Sequence, residues 1–253
     1  MSDASADSSQ PPRRFAPGWP LWLFTLFFLP VLLSLGVWQL DRAEQKRQLQ
    51  AQIDQQRQLP ALPLVELPSS STPAWRSLLL TGRFDPQRIW LLDNRTRNGQ
   101  AGVEVLQLFH DQPSGYRLVI NRGWIAWPDR RQLPAVPTPE GNLQLQVEAL
   151  PAPGQGFRLQ GPVSTGWPRL ITQLDAGALA EQAGLQLLPW TARLQPGSPG
   201  ALRLEWPALG MTATKHTAYA VQWFALAAAL LILFIWAGYR PESRGKNNND
   251  EYN

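Results

Sequence analysis

The chain has 253 residues, with 23 Lys+Arg against 19 Asp+Glu, 24 Pro, 12 Trp and no Cys, a length that holds one mid-sized domain plus appendages. Without Cys there is no disulfide framework, thiolate metal site, Cys nucleophile or Cys-attached haem, and two His, His110 and His216, are too few for a three- or four-His metal cage. The mean hydropathy of -0.24 conceals two uncharged runs, Phe15 to Leu40 and Thr217 to Tyr239.

Residues 1–17 form a first tail. Gly18 to Leu40 is 23 residues long and rises about 35 Å as a helix, enough for a ~30 Å hydrocarbon core. Thr217 to Tyr239 has the same length, with Trp and Tyr near both ends where such rings sit at headgroup level. Both are expected to be transmembrane helices, because buried core helices seldom run so long without a charge. A cleaved signal peptide is the alternative for the first, with Arg13-Arg14 as its basic start and Ser34 and Gly36 as small residues near a cleavage site. The length of the run, through Pro30 to Trp38, favours an uncleaved anchor. Phe15 directly after the arginine pair argues against a twin-arginine signal.

The excess charge lies between the spans: residues 41–216 hold 18 Lys+Arg and 14 Asp+Glu, and the tails hold 5 of each. Those cations are spread singly, which is the pattern of a solvated surface and not of a nucleic-acid footprint. Lys and Arg flanking the spans nearly tie, and long loops translocate largely regardless of charge, so the tails are placed inside and the large loop outside.

Residues 41–59 are rich in helix formers and read as a helical stalk ending before Pro60. Ala61 to Pro73 is a Pro- and Ser-rich linker. The segment 60–216 then reads as a β-rich domain, with strands at Ser77–Gly82, Ile89–Asp93, Gly102–Phe109, Tyr116–Asn121 and Leu143–Ala149, and further ones at Arg193-Leu194 and Ala201–Trp206. One helix is expected over Ala176–Gly184, with Asp175 as cap and Gly184 as stop. The fold class is thus a membrane protein in which two transmembrane α-helices, 18–40 and 217–239, flank a mostly antiparallel β (α+β) domain. Residues 240–253 form the second tail.

Catalytic motifs are absent: no dinucleotide or phosphate-binding Gly-rich loop, no His-Glu-x-x-His, no Gly-x-Ser-x-Gly. Asp85 and Asp93 could pair for acid–base work, but Pro86 and Asn94 beside them favour turn chemistry. Asn121 to Trp127 packs its aromatics in a core or presents them to a partner. His110, between Phe109 and Asp111, is read as a surface residue. No enzymatic activity is expected.

His216 is the ionisable residue that stands out, preceded by Lys215 and followed by the second uncharged run. On a helix His216, Tyr219, Ala220 and Trp223 share one stripe, with Trp223 about 10 Å deeper. Imidazole is a haem-iron ligand, flat rings suit a macrocycle, and Lys215 could meet propionates. Trp38 and Gln39 end the first span at the same membrane level, and either could form the opposite wall. The alternative is a histidine that only holds the helix at its depth.

Gly36-Val-Trp-Gln-Leu-Asp-Arg-Ala-Glu-Gln-Lys46, Gly82-Arg-Phe-Asp-Pro86, Leu92-Asp-Asn-Arg95, Val119-Ile-Asn-Arg-Gly-Trp124, Trp167-Pro-Arg169 and Lys215-His-Thr-Ala-Tyr-Ala-Val-Gln-Trp-Phe224 resemble, in order and spacing, the surfeit locus protein 1 family. The resemblance implies a two-span inner-membrane protein with a periplasmic or intermembrane domain that assists assembly of haem-copper cytochrome c oxidase. It further implies handling of haem a, with His216 as the contact and the oxidase catalytic subunit and haem a synthase as partners; on the reading of the stripe above, Tyr219, Trp223 and Trp38 would stand beside the cofactor. A haem-independent scaffold for the catalytic subunit is the second possibility. With Asp3 and Asp7 ahead of the first span in place of an arginine-rich leader, a bacterial inner membrane, with the large domain periplasmic, is expected over a mitochondrion.

Overall fold

The structure, a computed structural model, describes residues 13–68, 71–151, 166–206 and 211–241. In chain order its elements are β1 (Arg13–Phe15), α1 (Trp19–Gln58), β2 (Leu62–Pro63), β3 (Ser77–Arg97), β4 (Gln100–Asp111), β5 (Arg117–Ala126), β6 (Leu143–Leu150), β7 (Arg169–Ile171), α2 (Ala176–Ala183), β8 (Thr191–Leu194), α3 (Ala213–Gly238) and β9 (Tyr239–Pro241). They form two compact units, one built from the chain up to Leu49 and from Ala208 on, the other from Gln50–Pro207.

In the first unit α1 and α3 are both long and apolar enough to cross a membrane, with 11% and 17% of their apolar windows buried. A core helix of a soluble protein would be mostly covered, so these figures favour lipid as the surroundings of the exposed faces. Helix α1 joins the expected span and stalk into one helix of 40 residues that passes through Pro30. Among the residues it withholds from the surface, Thr25, Leu29, Leu32, Gly36, Gln39, Ala43 and Lys46 follow alternating steps of four and three. On α3, Ala213, His216, Ala220, Trp223, Ala227, Leu230, Phe234 and Ala237 repeat that spacing. A repeat averaging 3.5 is the seam of two helices packed along their length, and small residues such as Gly36, Ala43, Ala220 and Ala227 let membrane helices approach closely. At Gly36 a Cβ would lie 2.6 Å from the Phe224 ring. At the other end β1 pairs antiparallel with β9, and Phe15 meets Phe234 edge-on at 5.8 Å.

In the second unit β3, β4, β5, β8 and β6 are hydrogen-bonded in that order, and β6 returns to β3. The five strands thus form a closed ring, which leaves less exposed edge than an open sheet. Most pairings are antiparallel, but β5 with β8, β3 with β7 and β2 with β3 run parallel. Leu78, Leu80, Phe109, Leu118, Ile120, Leu145, Val147, Trp190 and Ala192 fill one side of the sheet. On the other side α2 lays Leu179 and Ala183 over Trp90, Leu106, Leu108 and Val119, and the Trp90 indole donates to Gln182 Oε1 at 2.8 Å.

Where local chemistry decides, expectation and structure agree. Asp175 caps α2 by accepting from Ala178 N, and Gly184 ends it in the left-handed region at φ 63°. Asp175→Ala is expected to cost about 1 kcal/mol, a fall of about 3 °C in Tm for a unit of this size, read by thermal unfolding of the detergent-solubilised chain. Two expectations need correction. The strands expected at Ser77–Gly82 and Ile89–Asp93 are one 21-residue strand, β3, bulged between Phe84 and Ile89 because Pro86 cannot donate to the ladder. Residues 201–206 form no strand and contribute one bridge, Arg203 to Trp124. The last turns of the helical stalk belong to the β unit. Ile53 is buried, and Arg57 Nε donates at 2.6 Å to Glu148 Oε1, whose other oxygen accepts from Arg193 Nε at 2.6 Å.

Asp85 and Asp93 serve turns. Asp85 Oδ1 accepts from the backbone N–H of Gln87 and Arg88, and Oδ2 from Arg88 Nη1 at 2.7 Å. Burial pushes its carboxyl up, but these bonds and the Arg88 charge outweigh it and hold the group below the ordinary value. It is thus an ionised acceptor at neutral pH and unsuited to act as a general acid. Asp93 Oδ1 accepts from Asn94 N and Arg130 Nη1. Trp124 and Trp127 are buried, each donating its indole N–H to a backbone carbonyl, of Arg95 and Gln132 respectively, so this stretch packs its aromatics inward.

Candidate functional site

Helix α3 begins at Ala213, with Thr212 as cap, so His216 sits in its first turn and not in the β domain. Its backbone N–H bonds to Thr212 O, and Thr217 Oγ1 turns back onto Ala213 O at 3.1 Å. The imidazole therefore projects from a hydrogen-bonded helix start. It is half-buried on the face toward α1, and its Nδ1 lies 2.7 Å from Gln39 Oε1. Two turns beyond Gln39 along α1, Arg47 Nη2 donates to Thr217 Oγ1 at 3.2 Å and Nη1 to Glu44 Oε2. Two polar contacts thus fix the helix pair beside Gly36 and Phe224.

The four predicted site residues separate in the structure. His216 and Trp223 lie on the seam, Trp223 half-buried. Tyr219 is on the outer side of α3, 43% exposed. The stripe is not a continuous open slot, because Ala220, between His216 and Trp223, is fully covered. Trp38 is 47% exposed, with the Arg42 guanidinium 5.6 Å from its ring, and the contact that His216 makes on α1 is with Gln39. Lys215 is exposed.

In the tautomer that donates from Nδ1 to Gln39 Oε1, Nε2 keeps a lone pair. Ligating histidines are commonly held this way, with one ring nitrogen donating to an oxygen and the other free for the metal. The donor set thus suits axial ligation of a haem iron by a single imidazole. Among the described residues no group of three or more His, Asp or Glu side chains is placed to hold a bare metal ion.

The sequence alone did not single out Gln39 over Trp38. The signal was present in the spacing of small and polar residues at 36, 39 and 43, since Trp38 lies about 100° around the helix from Gln39.

Comparison with known proteins gives a consistent result. The SURF1 family profile matches residues 26–228. The SURF1-like proteins of Rickettsia felis and Rickettsia conorii are 24% identical over 219 residues and 22% over 210, covering 84% and 81% of this chain and 94% and 85% of their own lengths. The cytochrome oxidase assembly protein SHY1 of Saccharomyces cerevisiae is 30% identical over 145 residues, 53% of this chain. That match spans about a third of the yeast protein, 36% of its length. With the profile running from within α1 to within α3 and over the whole β unit between them, the chain belongs to the SURF1 family.

Proposed function

We propose that this protein assists assembly of cytochrome c oxidase, and that His216 ligates or orients haem a at the membrane surface while the catalytic subunit receives it. The observation that carries the haem role is the 2.7 Å approach of His216 Nδ1 to Gln39 Oε1. The oxidase role is supported by family membership and by the name of the yeast relative. No enzymatic step is involved. Bound haem a would supply an iron able to take an imidazole nitrogen, which His216 would provide. The chain's part is to present Nε2 of His216, to fix the ring plane through Gln39, and to offer Trp223, on the same seam, as flat apolar surface. Haem a synthase is the source of the cofactor in this scheme, and the β unit lies on the periplasmic side of a bacterial inner membrane.

Deletion in the native host, with oxidase haem a and copper both quantified per catalytic subunit, tests this. Haem a should fall to below about a tenth of wild type, a loss of at least 1.4 kcal/mol in loading, with restoration by the wild-type gene. Normal haem a in a reduced amount of catalytic subunit would favour the scaffold role instead.

A further inference from the structure

The β unit carries a second cluster of cations, far along the sequence from His216 and unrelated to its chemistry. Arg83 on β3 is registered with His110 on β4, and His110 with Arg117 on β5. Registered residues on neighbouring strands point to the same face about 5 Å apart, so the three side chains form a row across the sheet. The row lies on the face that α2 covers, two residues beyond Leu108, where α2 has ended and only Leu185 reaches the rim. Arg83 and Arg117 are exposed and His110 is half-buried. They border a recess of about 520 Å³ whose apolar wall includes Phe84, Pro86, Leu108 and Leu185.

This recess holds the guanidinium groups of Arg83 and Arg117, two strands apart on either side of His110. Its single carboxylate, Asp85, is taken by Arg88 at 2.7 Å, and Arg88 Nε also reaches Ala183 O at the end of α2 at 3.4 Å. Among the described residues neither Arg83 nor Arg117 makes a salt bridge. Two guanidinium groups flanking an imidazole present converging N–H donors of the kind that grip carboxylate and phosphate oxygens.

We propose that this recess is a binding site for a phosphate carried on an apolar body, with Arg83 and Arg117 gripping the phosphate, His110 between them and Leu108 and Leu185 receiving the apolar part.

Calorimetric titration of the full-length protein in detergent with inorganic phosphate and with phenyl phosphate tests the site. Phenyl phosphate is expected to bind at least tenfold tighter than phosphate. Arg83→Gln and Arg117→Gln should each weaken it about tenfold, and the double variant about a hundredfold. Arg131→Gln, at an arginine paired with Asp129 elsewhere, should change nothing. A test on the wild type needs no variant: phenyl phosphate raises its Tm, whereas benzyl alcohol, of similar size and uncharged, does not. Absence of binding by both phosphates, undiminished binding by the double variant, or equal Tm rises with phenyl phosphate and benzyl alcohol would each overturn the proposal. Equal affinity for the two phosphates would overturn the apolar part of the site.

Discussion

His216→Ala weakens haem binding to the solubilised protein by at least a hundredfold, measured by titrating the detergent-purified chain with haem and following the Soret band. The imidazole is the one side chain of the α1–α3 pair placed to give a nitrogen to iron while its other nitrogen is engaged, so its loss removes the iron bond itself. The helix pair should survive the change, because the Gly36–Phe224 packing, the Arg47–Thr217 bond and the buried Ala220 and Ala227 do not depend on the imidazole. Gln39→Leu leaves the ligand but frees its ring, and removal of such supporting partners typically costs 10- to 100-fold in affinity. The order wild type, Gln39→Leu, His216→Ala is thus fixed by geometry. A purely structural histidine would leave all three titrations alike.

Arg122→Met should be the most damaging stability change in the β unit. Arg122 is 1% exposed, yet its partners are all neutral: Nε donates to Gly200 O at 2.9 Å, Nη1 to Gln107 Oε1 at 2.6 Å and Nη2 to Pro137 O at 2.9 Å. Its charge also lies 5.1 Å from the Phe84 ring. Burial pushes the guanidinium pKa down to about 10, which still leaves it charged at neutral pH. Through Gln107, whose amide donates to Asp85 O and Thr138 Oγ1, the same network holds the bulge of β3. One side chain therefore fixes the bulge and the two connections around residues 137 and 200. Methionine fills the volume but strands three acceptors in the interior, each costing about 1–3 kcal/mol. With partial relaxation the expected loss is about 4 kcal/mol, a drop of about 12 °C in Tm, measured by thermal unfolding in detergent. Below the folded pKa the charged form carries this burial penalty, so over the alkaline range in which the folded chain loses the proton first the contribution to stability rises with pH. Arg122→Lys, which keeps a charge but cannot span three directions, should recover only part of the loss.

The features legible in the sequence were those written in neighbouring residues. Asp175 and Gly184 bound α2 because a cap and a left-handed stop are local chemistry. Asp85 and Asp93 read as turn residues because Pro86 and Asn94 adjoin them. Both spans were visible as uncharged length. The bulged continuity of β3 was hidden because Pro86 and Gln87 look like a break, although the strand resumes its pairing with β4 at Ile89. Closure of the ring rests on β8 lying parallel to β5, a pairing across about 70 residues that no local pattern announces. The seam between α1 and α3 was hidden for another reason: in an apolar helix every face is hydrophobic, so the buried face is marked by size and polarity and not by hydropathy. For the candidate site, the level of His216 in the membrane could be judged, but not the direction from which it would be met. That choice fell to Gln39, which meets Nδ1 and leaves Nε2 without a side-chain partner among the described residues.

The most direct measurement is the electron paramagnetic resonance spectrum of the ferric haem bound by the purified wild-type protein, taken beside His216→Ala with and without free imidazole. A signal of imidazole-ligated iron in the wild type, lost in the variant and restored when imidazole is added, is the predicted result. A wild type that takes up no haem, or a variant whose spectrum matches it without added imidazole, would contradict the assignment of His216 as the ligand.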